Sequence, residues 1–106
     1  MSPIEILFED ENILIVNKPP FMMVHPWRGG PRGEVDLMST VKEQTGHWLY
    51  PVHRLDRQTS GIVLFALKSE VVTFYKDRWH SNEVRKKYFC LASGALPISG
   101  YYDNSL

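Results

Sequence analysis

Two short runs of strand-favouring residues open the chain, Ile4 to Phe8 and Ile13 to Asn17. The acidic segment Glu9-Asp10-Glu11-Asn12 separates them, and its asparagine can adopt the backbone conformation of a tight turn. Two β-rich runs joined by so short a polar segment are typical of a β-hairpin. We therefore predict an antiparallel pair of strands with Asn12 in the turn.

The hydrophobic pattern stops at Lys18, and residues 18 to 33 contain four prolines and three glycines. Prolines and glycines at this density exclude a long regular element. A loop of this length in a compact domain is usually functional or mobile. After it, Asp36 can cap a short helix from about Leu37 to Thr45, and Gly46 supplies a left-handed stop.

The apolar segments in the middle of the chain differ in pattern. Leu49 to Val52 is predicted to be a short extended segment, and Pro51 favours a place at the edge of a sheet. Ile62 to Leu67 is apolar throughout, without alternation. A continuous apolar run of this length is typical of a strand that is covered on both faces.

The last third of the chain predicts one helix and one strand. Ser69 fits the N-cap of a helix that runs to about His80, with Asn82 as its terminator. Residues at helical spacing would form its buried face: Val72, Tyr75 and Trp79. Tyr88 to Ala92 alternates like a strand. Because no clear βαβ unit is present, we predict an α+β fold with a mixed, mostly antiparallel sheet and flanking helices.

Composition limits the function classes. The chain has 106 residues, 43% of them hydrophobic, and a net charge of zero. A dedicated, non-specific nucleic-acid binder would usually be basic overall, but a local basic face is compatible with this balance. Positive residues do gather in three clusters, and this modestly favours a polyanionic partner: Arg28 with Arg32, Arg54 with Arg57, and Arg85 with Lys86 and Lys87.

Cysteine usage and hydropathy suggest a location. Cys90 is the only cysteine and lies in the predicted last strand, where its simplest role is that of a small core residue. A single cysteine cannot form an internal disulfide, which fits a reducing compartment. The sequence shows no signal peptide and no membrane-spanning apolar run. We therefore expect a cytoplasmic protein that does not enter a membrane.

Asp56 is the sharpest candidate for chemistry. It lies between Arg54 and Arg57, and these charges would lower its pKa if they approach the carboxylate. An ionised carboxylate can act as a nucleophile or base without a metal. For an arbitrary aspartate near arginine, a structural ion pair or a turn cap is the favoured interpretation. The surrounding nine-residue string, His53-Arg54-Leu55-Asp56-Arg57-Gln58-Thr59-Ser60-Gly61, is what changes that preference.

The segment HRLD, followed by TSG and an apolar strand, resembles the catalytic motif of RluA-type pseudouridine synthases, in particular their TruC-like tRNA-modifying branch. The resemblance implies that Asp56 is the catalytic aspartate and attacks either the uracil base or the ribose C1′. Arg54 would enter the space that the flipped uridine leaves, or pair with Asp56. His53 would orient the loop or contact RNA, with a structural role favoured, and Arg57 is a further RNA-binding candidate.

Two other segments carry the resemblance. Lys86-Lys87-Tyr88 is similar to the family's K-x-Y strand, which implies that Tyr88 lies against the target uracil. We expect Lys86 to be a phosphate contact or a surface charge and not a catalyst. Residues 16 to 26 resemble an N-K-P-x-G-x-x-V-H-P segment, which makes Lys18 and His25 candidates for RNA contact or site support. Phe21 stands where glycine is usual, so we expect the turn to differ there. Composition adds Trp27, Arg28 and Arg32 as RNA-contact candidates.

The resemblance implies an isomerase that acts on RNA, with tRNA as the favoured substrate, rRNA as the alternative, and no cofactor. The family's catalytic domain is longer, so we expect this chain to be a single, incomplete catalytic domain without an S4 domain. The alternative is an inactive fragment or RNA-binding remnant that needs a missing C-terminal half or a partner. Zinc-site spacing, a second catalytic carboxylate and kinase motifs are not found in the sequence.

Overall fold

The computed structural model describes residues 3–25 and 34–94. Within these ranges the chain forms one antiparallel sheet in the strand order β1-β2-β4-β3, together with two helices. The α+β class with a mostly antiparallel sheet is therefore confirmed, and the one parallel pairing described is an isolated bridge between Met23 and Asp36. The elements in chain order are β1 (Glu5–Glu9), β2 (Ile13–Lys18), α1 (Leu37–Thr45), β3 (Tyr50–Pro51), β4 (Gly61–Ala66) and α2 (Ser69–Arg78).

The predicted hairpin is present, but a different residue closes its turn. The Oδ1 atom of Asp10 accepts hydrogen bonds from the backbone N–H groups of Asn12 and Ile13, at 2.7 and 2.8 Å. Asn12 does not adopt a left-handed conformation. Among the described residues, Phe21 is the one non-glycine residue with positive φ. An aspartate side chain that bonds its own backbone two residues on makes such a conformation unnecessary.

Helix α1 begins and ends as the sequence predicts. The Oδ2 atom of Asp36 accepts a hydrogen bond from the N–H of Ser39 at 2.9 Å, which satisfies one unpaired donor of the first turn. Gly46 ends the helix with φ 77°, and its N–H donates to the carbonyl of Lys42 at 2.8 Å. Both caps are local, so the sequence carries the information for them.

The two helices lie against opposite faces of the sheet. Residues of β2 and β4 that point one way join Leu37 and Val41 of α1 in the larger apolar cluster. The alternate residues of the same strands join Val71 and Val72 of α2 in a smaller one. The prediction that β4 is covered on both faces is confirmed for residues 63–66, which are all buried.

The end of α2 and the following residues depart from the prediction. Lys68, and not Ser69, is the N-cap residue, and α2 stops at Arg78 before the predicted limit. The predicted strand at residues 88–92 does not form, and Cys90, expected in the core, is exposed. Within the described part of the chain, these residues make no backbone hydrogen bond to the sheet, so their alternating pattern has no neighbouring strand to pair with.

Neither helix in the described ranges is long and apolar enough to cross a membrane.

Candidate active site

The HRLD segment lies in the connection between β3 and β4, and its backbone is held at several points. Leu55 is buried and joins the α1-side cluster, which anchors the middle of the loop. The N–H of Thr59 donates to the carbonyl of Asp56 at 3.0 Å and forms a turn. Gly61 enters β4 with φ 135°, a region that side-chain-bearing residues rarely adopt. The Asp56 side chain, next to the buried Leu55, is exposed.

Asp56 lines an open cleft of about 580 Å³, which we call the aspartate cleft. Arg54, Arg57, Glu34 and His25 line the same cleft. The charge arrangement differs from the prediction, because the Nη2 atom of Arg57 pairs with Oε1 of Glu34 at 2.7 Å and not with Asp56. Among the described residues, Asp56 forms no ion pair at all. Its carboxylate is therefore left accessible from the cleft.

Lys18 lies beneath this loop and does not reach the surface. Its side chain is fully buried, and its Nζ donates hydrogen bonds to the carbonyls of Pro19, Met22 and Arg57, at 2.9, 2.6 and 3.1 Å. Burial lowers the pKa of its ammonium group. All three N–H bonds are directed at carbonyls, so the buried Nζ is not presented to solvent, and RNA contact by Lys18 stays a prediction. The other role, support of the site, fits this geometry.

A second cleft of about 640 Å³, which we call the tyrosine cleft, contains the other predicted residues. His53, Lys86 and Tyr88 line it, and its apolar lining includes Ile62 of β4. Tyr88 is 63% exposed. The cleft therefore offers an accessible aromatic face next to basic side chains, which is the combination that binds single-stranded nucleic acid.

His53 connects the loop to β4 and α2. Its Nε2 atom accepts a hydrogen bond from the backbone N–H of Leu64 at 3.0 Å, beyond the point where β3 stops pairing with β4. The ring stacks on Trp79, with centroids 4.1 Å apart. Burial, assisted by the charge of Lys86, lowers the pKa of His53 to about 4. A neutral ring with an unprotonated Nε2 is what this hydrogen bond requires, so the geometry favours the structural role.

The predicted site residues thus fall into two groups. Arg54, Asp56 and Arg57 lie at the aspartate cleft, whereas His53, Lys86 and Tyr88 lie at the tyrosine cleft. Leu55 lines both clefts and forms a common wall. The described structure does not bring Tyr88 into the cleft of Asp56, and their joint action on one uracil stays a prediction. Trp27, Arg28 and Arg32 lie outside the described residues.

Three contributions were not predicted from the sequence. Glu34 follows a glycine-rich stretch and belongs to no motif, so nothing in the sequence pairs it with Arg57. The sequence predicts Trp79 only on the buried face of α2, yet its ring also stacks on His53. Phe21, which stands where glycine is usual, has φ 64°, a left-handed conformation that glycine adopts at less cost. The expected difference in the turn stays a prediction. That departure from the motif was the signal that could have identified Phe21.

The described ranges contain no cluster of three or more histidine, cysteine, aspartate or glutamate side chains that could hold a metal ion. The chemistry that the described side chains can supply is that of a carboxylate in an open cleft, with arginines and aromatic rings nearby. Such a set can carry out nucleophilic or acid–base chemistry on a bound polyanion.

Comparison with known proteins gives one consistent family. The family described as RNA pseudouridylate synthase matches residues 12–106. The tRNA pseudouridine synthase C of Pasteurella multocida is 39% identical over 104 residues, which are 97% of this chain and 42% of that protein. The protein of the same name from Pectobacterium carotovorum subsp. carotovorum is 38% identical over 103 residues, 97% of this chain and 27% of its own length.

A solved structure agrees with the sequence matches. The human RNA pseudouridylate synthase domain containing 4 protein superimposes with a TM-score of 0.57 at 24% identity, over 74% of this chain and 30% of its own. This likeness supports the fold. The chain spans less than half the length of the two curated relatives described above. It belongs to the RNA pseudouridylate synthase family.

Proposed function

We propose that this member of the RNA pseudouridylate synthase family isomerises uridine to pseudouridine in RNA, with Asp56 as the nucleophile. One observation carries the proposal: the carboxylate of Asp56 is accessible in an open cleft, while the loop on either side of it is fixed by Leu55 and by the turn to Thr59. A nucleophile on a backbone that is held in place loses little freedom when the substrate binds.

The reaction needs no group that is foreign to the chain. The Asp56 carboxylate would attack either the ribose C1′ or the uracil ring, and the bond between C1′ and N1 would break. The uracil then rotates, and a bond forms between C1′ and C5. The bond from Asp56 to the substrate breaks and releases the carboxylate, and the proton on C5 leaves to water while N1 gains one. Atoms balance without an oxidant or reductant, so the isomerisation requires only positioning and proton transfer.

The target uridine must first leave its stack, at a cost of about a few kcal/mol. Arg54 is exposed at the aspartate cleft, where it can occupy the space that the base leaves. We assign Tyr88 to the uracil face and Lys86 to a phosphate, because both line the tyrosine cleft. These two assignments require the cleft walls to close around Leu55, the residue that both clefts share.

We propose tRNA as the substrate, with rRNA as the alternative, because the two relatives described are named tRNA pseudouridine synthase C. The protein would act in the cytoplasm, without a cofactor. Residues 1–106 would form part of one catalytic domain. Which uridine is modified depends on contacts from loops that recognise RNA shape.

Release of tritium tests the activity. The protein, expressed from its complete reading frame, is incubated with tRNA that carries tritium at C5 of uridine, and label in water is counted. We expect release by the wild type and a loss of at least about a thousandfold in Asp56→Asn. Asp77→Asn is the matched control, because Asp77 is exposed on α2 and lines neither cleft. Absence of release by the wild type, or undiminished release by Asp56→Asn, contradicts the proposal.

A second function is favoured by a specific observation at residues 88–92. Phe89 and Leu91 are fully exposed, as apolar side chains of an unpaired strand would be. The alternative is thus a unit that binds RNA and becomes active only when further chain or a partner pairs with this segment. Hydrogen exchange distinguishes the two functions. Fast exchange of the amides at 88–92, together with protected amides at 62–67, supports the alternative. Equal protection of both segments in the 106-residue chain contradicts it.

A further inference from the structure

Phe21 combines two properties that both lower stability. Its backbone has φ 64°, where a residue with a Cβ costs roughly 1 kcal/mol more than glycine. Its side chain is 71% exposed, so the ring gains little from burial. A backbone conformation of this kind persists only where the surrounding structure determines it, and it is typical of ligand-binding sites. The folded state alone therefore does not explain a phenylalanine at this position.

The backbone of Phe21 is held against the Asp56 loop. Its N–H donates to the carbonyl of Arg57 at 2.7 Å, and the Nζ of Lys18 donates to the same carbonyl at 3.1 Å. The same Nζ also binds the carbonyl of Met22, the residue after Phe21. The backbone of Phe21 is thereby held to Arg57, the residue next to the proposed nucleophile Asp56.

The surroundings indicate what kind of partner the ring would meet. The side chain of Arg57 is 51% exposed although it pairs with Glu34, and Arg54 is exposed on the same loop. The backbone of Phe21 is thus bonded to a loop that carries two exposed cationic side chains. An exposed aromatic ring on such a segment can bind an unpaired nucleotide, with the base on the ring and the phosphates near the cations.

We infer that Phe21 is a stacking platform for an unpaired RNA base next to the target uridine. The inference rests on the proposed function and adds a residue to it, namely one that selects the nucleotide context and not the reacting base. Stacking requires a π-face and little else, so it depends on the ring and not on the exact backbone of the RNA. Phe21 touches a flanking base and takes no part in bond making.

Variants at this one position separate the ring from the strain. Phe21→Tyr keeps both, Phe21→Leu keeps the strain and removes the ring, and Phe21→Gly removes both. The matched control is Phe74→Leu, because Phe74 is a half-exposed phenylalanine on α2, whereas Phe21 is bonded to the Asp56 loop. Binding is measured with a tRNA transcript on filters, and stability is measured by thermal unfolding.

Removal of the ring should weaken tRNA binding, whereas relief of the backbone strain should raise stability. We expect Phe21→Leu and Phe21→Gly to weaken tRNA binding roughly five- to a hundredfold, while Phe21→Tyr and Phe74→Leu stay within about twofold of the wild type. At the same time Phe21→Gly should raise Tm by roughly 2–6 °C, because glycine relieves the positive φ. A residue with a merely structural role would not give higher stability together with weaker binding.

Kinetics separate this inference from the proposed function. In the tritium assay, Phe21→Leu should raise KM for tRNA and leave kcat within about threefold, because a flanking contact is made equally in ground and transition states. Unchanged tRNA affinity and KM in Phe21→Leu overturn the inference, even if Asp56→Asn is inactive. If the wild type releases no label, the proposed function fails, whereas a loss of tRNA affinity in Phe21→Leu still supports the stacking role.

Discussion

The two faces of the sheet are built from the same strands but reach different degrees of closure. On the face that α1 covers, Leu14, Val16, Val63 and Phe65 are all fully buried. On the face that α2 covers, Ala66 is buried at one end of β4, whereas Ile62 at the other end is 65% exposed. The first face is a completed core, and the second is completed over only part of its length.

This difference shows where the molecule keeps stability and where it keeps room for a ligand. The open end of the α2 face provides the apolar lining of the tyrosine cleft, through Ile15 and Ile62. The closed face holds Leu55, so the loop that presents Asp56 is anchored in the completed core. A rigid support on one side and an uncovered apolar surface on the other suit the proposed binding of a flipped base.

The largest expected effect compares two residues of one strand. Phe65→Ala should lower the free energy of unfolding by about 3–5 kcal/mol, because it leaves a cavity in the closed face. Ile62→Ala, on the open end of the other face, should cost less than about 1 kcal/mol. Urea unfolding of both variants measures the contrast. Comparable losses would mean that the open end is covered in solution.

A smaller effect is expected at the polar end of the closed face, where Lys18 follows Leu14 and Val16 on the same side of β2. Lys18→Met keeps the apolar stem but leaves three loop carbonyls without their donor, which should cost about 2–3 kcal/mol in unfolding free energy. Lys68→Met, at an exposed lysine, is the control. If both variants unfold like the wild type, Lys18 does not hold the Asp56 loop.

The smallest effect concerns pH and the open face. His53 binds a proton with a pKa of about 4 when folded and near its ordinary 6.5 when unfolded, so acid favours the unfolded chain. Stability should fall as the pH drops from 6.5 to 4, by about 1–2 kcal/mol once solvent screening of the half-buried ring is included. Unfolding curves at several pH values measure this fall.

The contribution of His53 is isolated by comparing variants. His53→Gln retains an acceptor for the Leu64 N–H and should remove that part of the pH dependence. His80→Gln, at an exposed histidine, should leave the pH dependence as it is in the wild type. An NMR titration of His53 near pH 6.5 in the folded protein would contradict the buried, stacked ring.

Local features of the fold were predictable from the sequence. The caps of α1 at Asp36 and Gly46 and the hairpin follow from interactions between residues close together in the chain, and strand β4 was recognised from its continuous apolar run. The strand predicted at residues 88–92 failed for the opposite reason. A strand needs a partner to bond with, and an alternating pattern does not say whether one is within reach.

The features of the candidate site also divide into those that the sequence predicts and those that depend on tertiary contacts. The sequence by itself determined the motif loop, the choice of Asp56 and the family, because these depend on residue types at fixed spacing. Only the tertiary structure decided that Arg57 pairs with Glu34, that Lys18 is buried under the loop, and that Trp79 stacks on His53. Each of these contacts joins segments far apart in the chain, and folding brings them together through burial and hydrogen bonding, which local sequence does not specify.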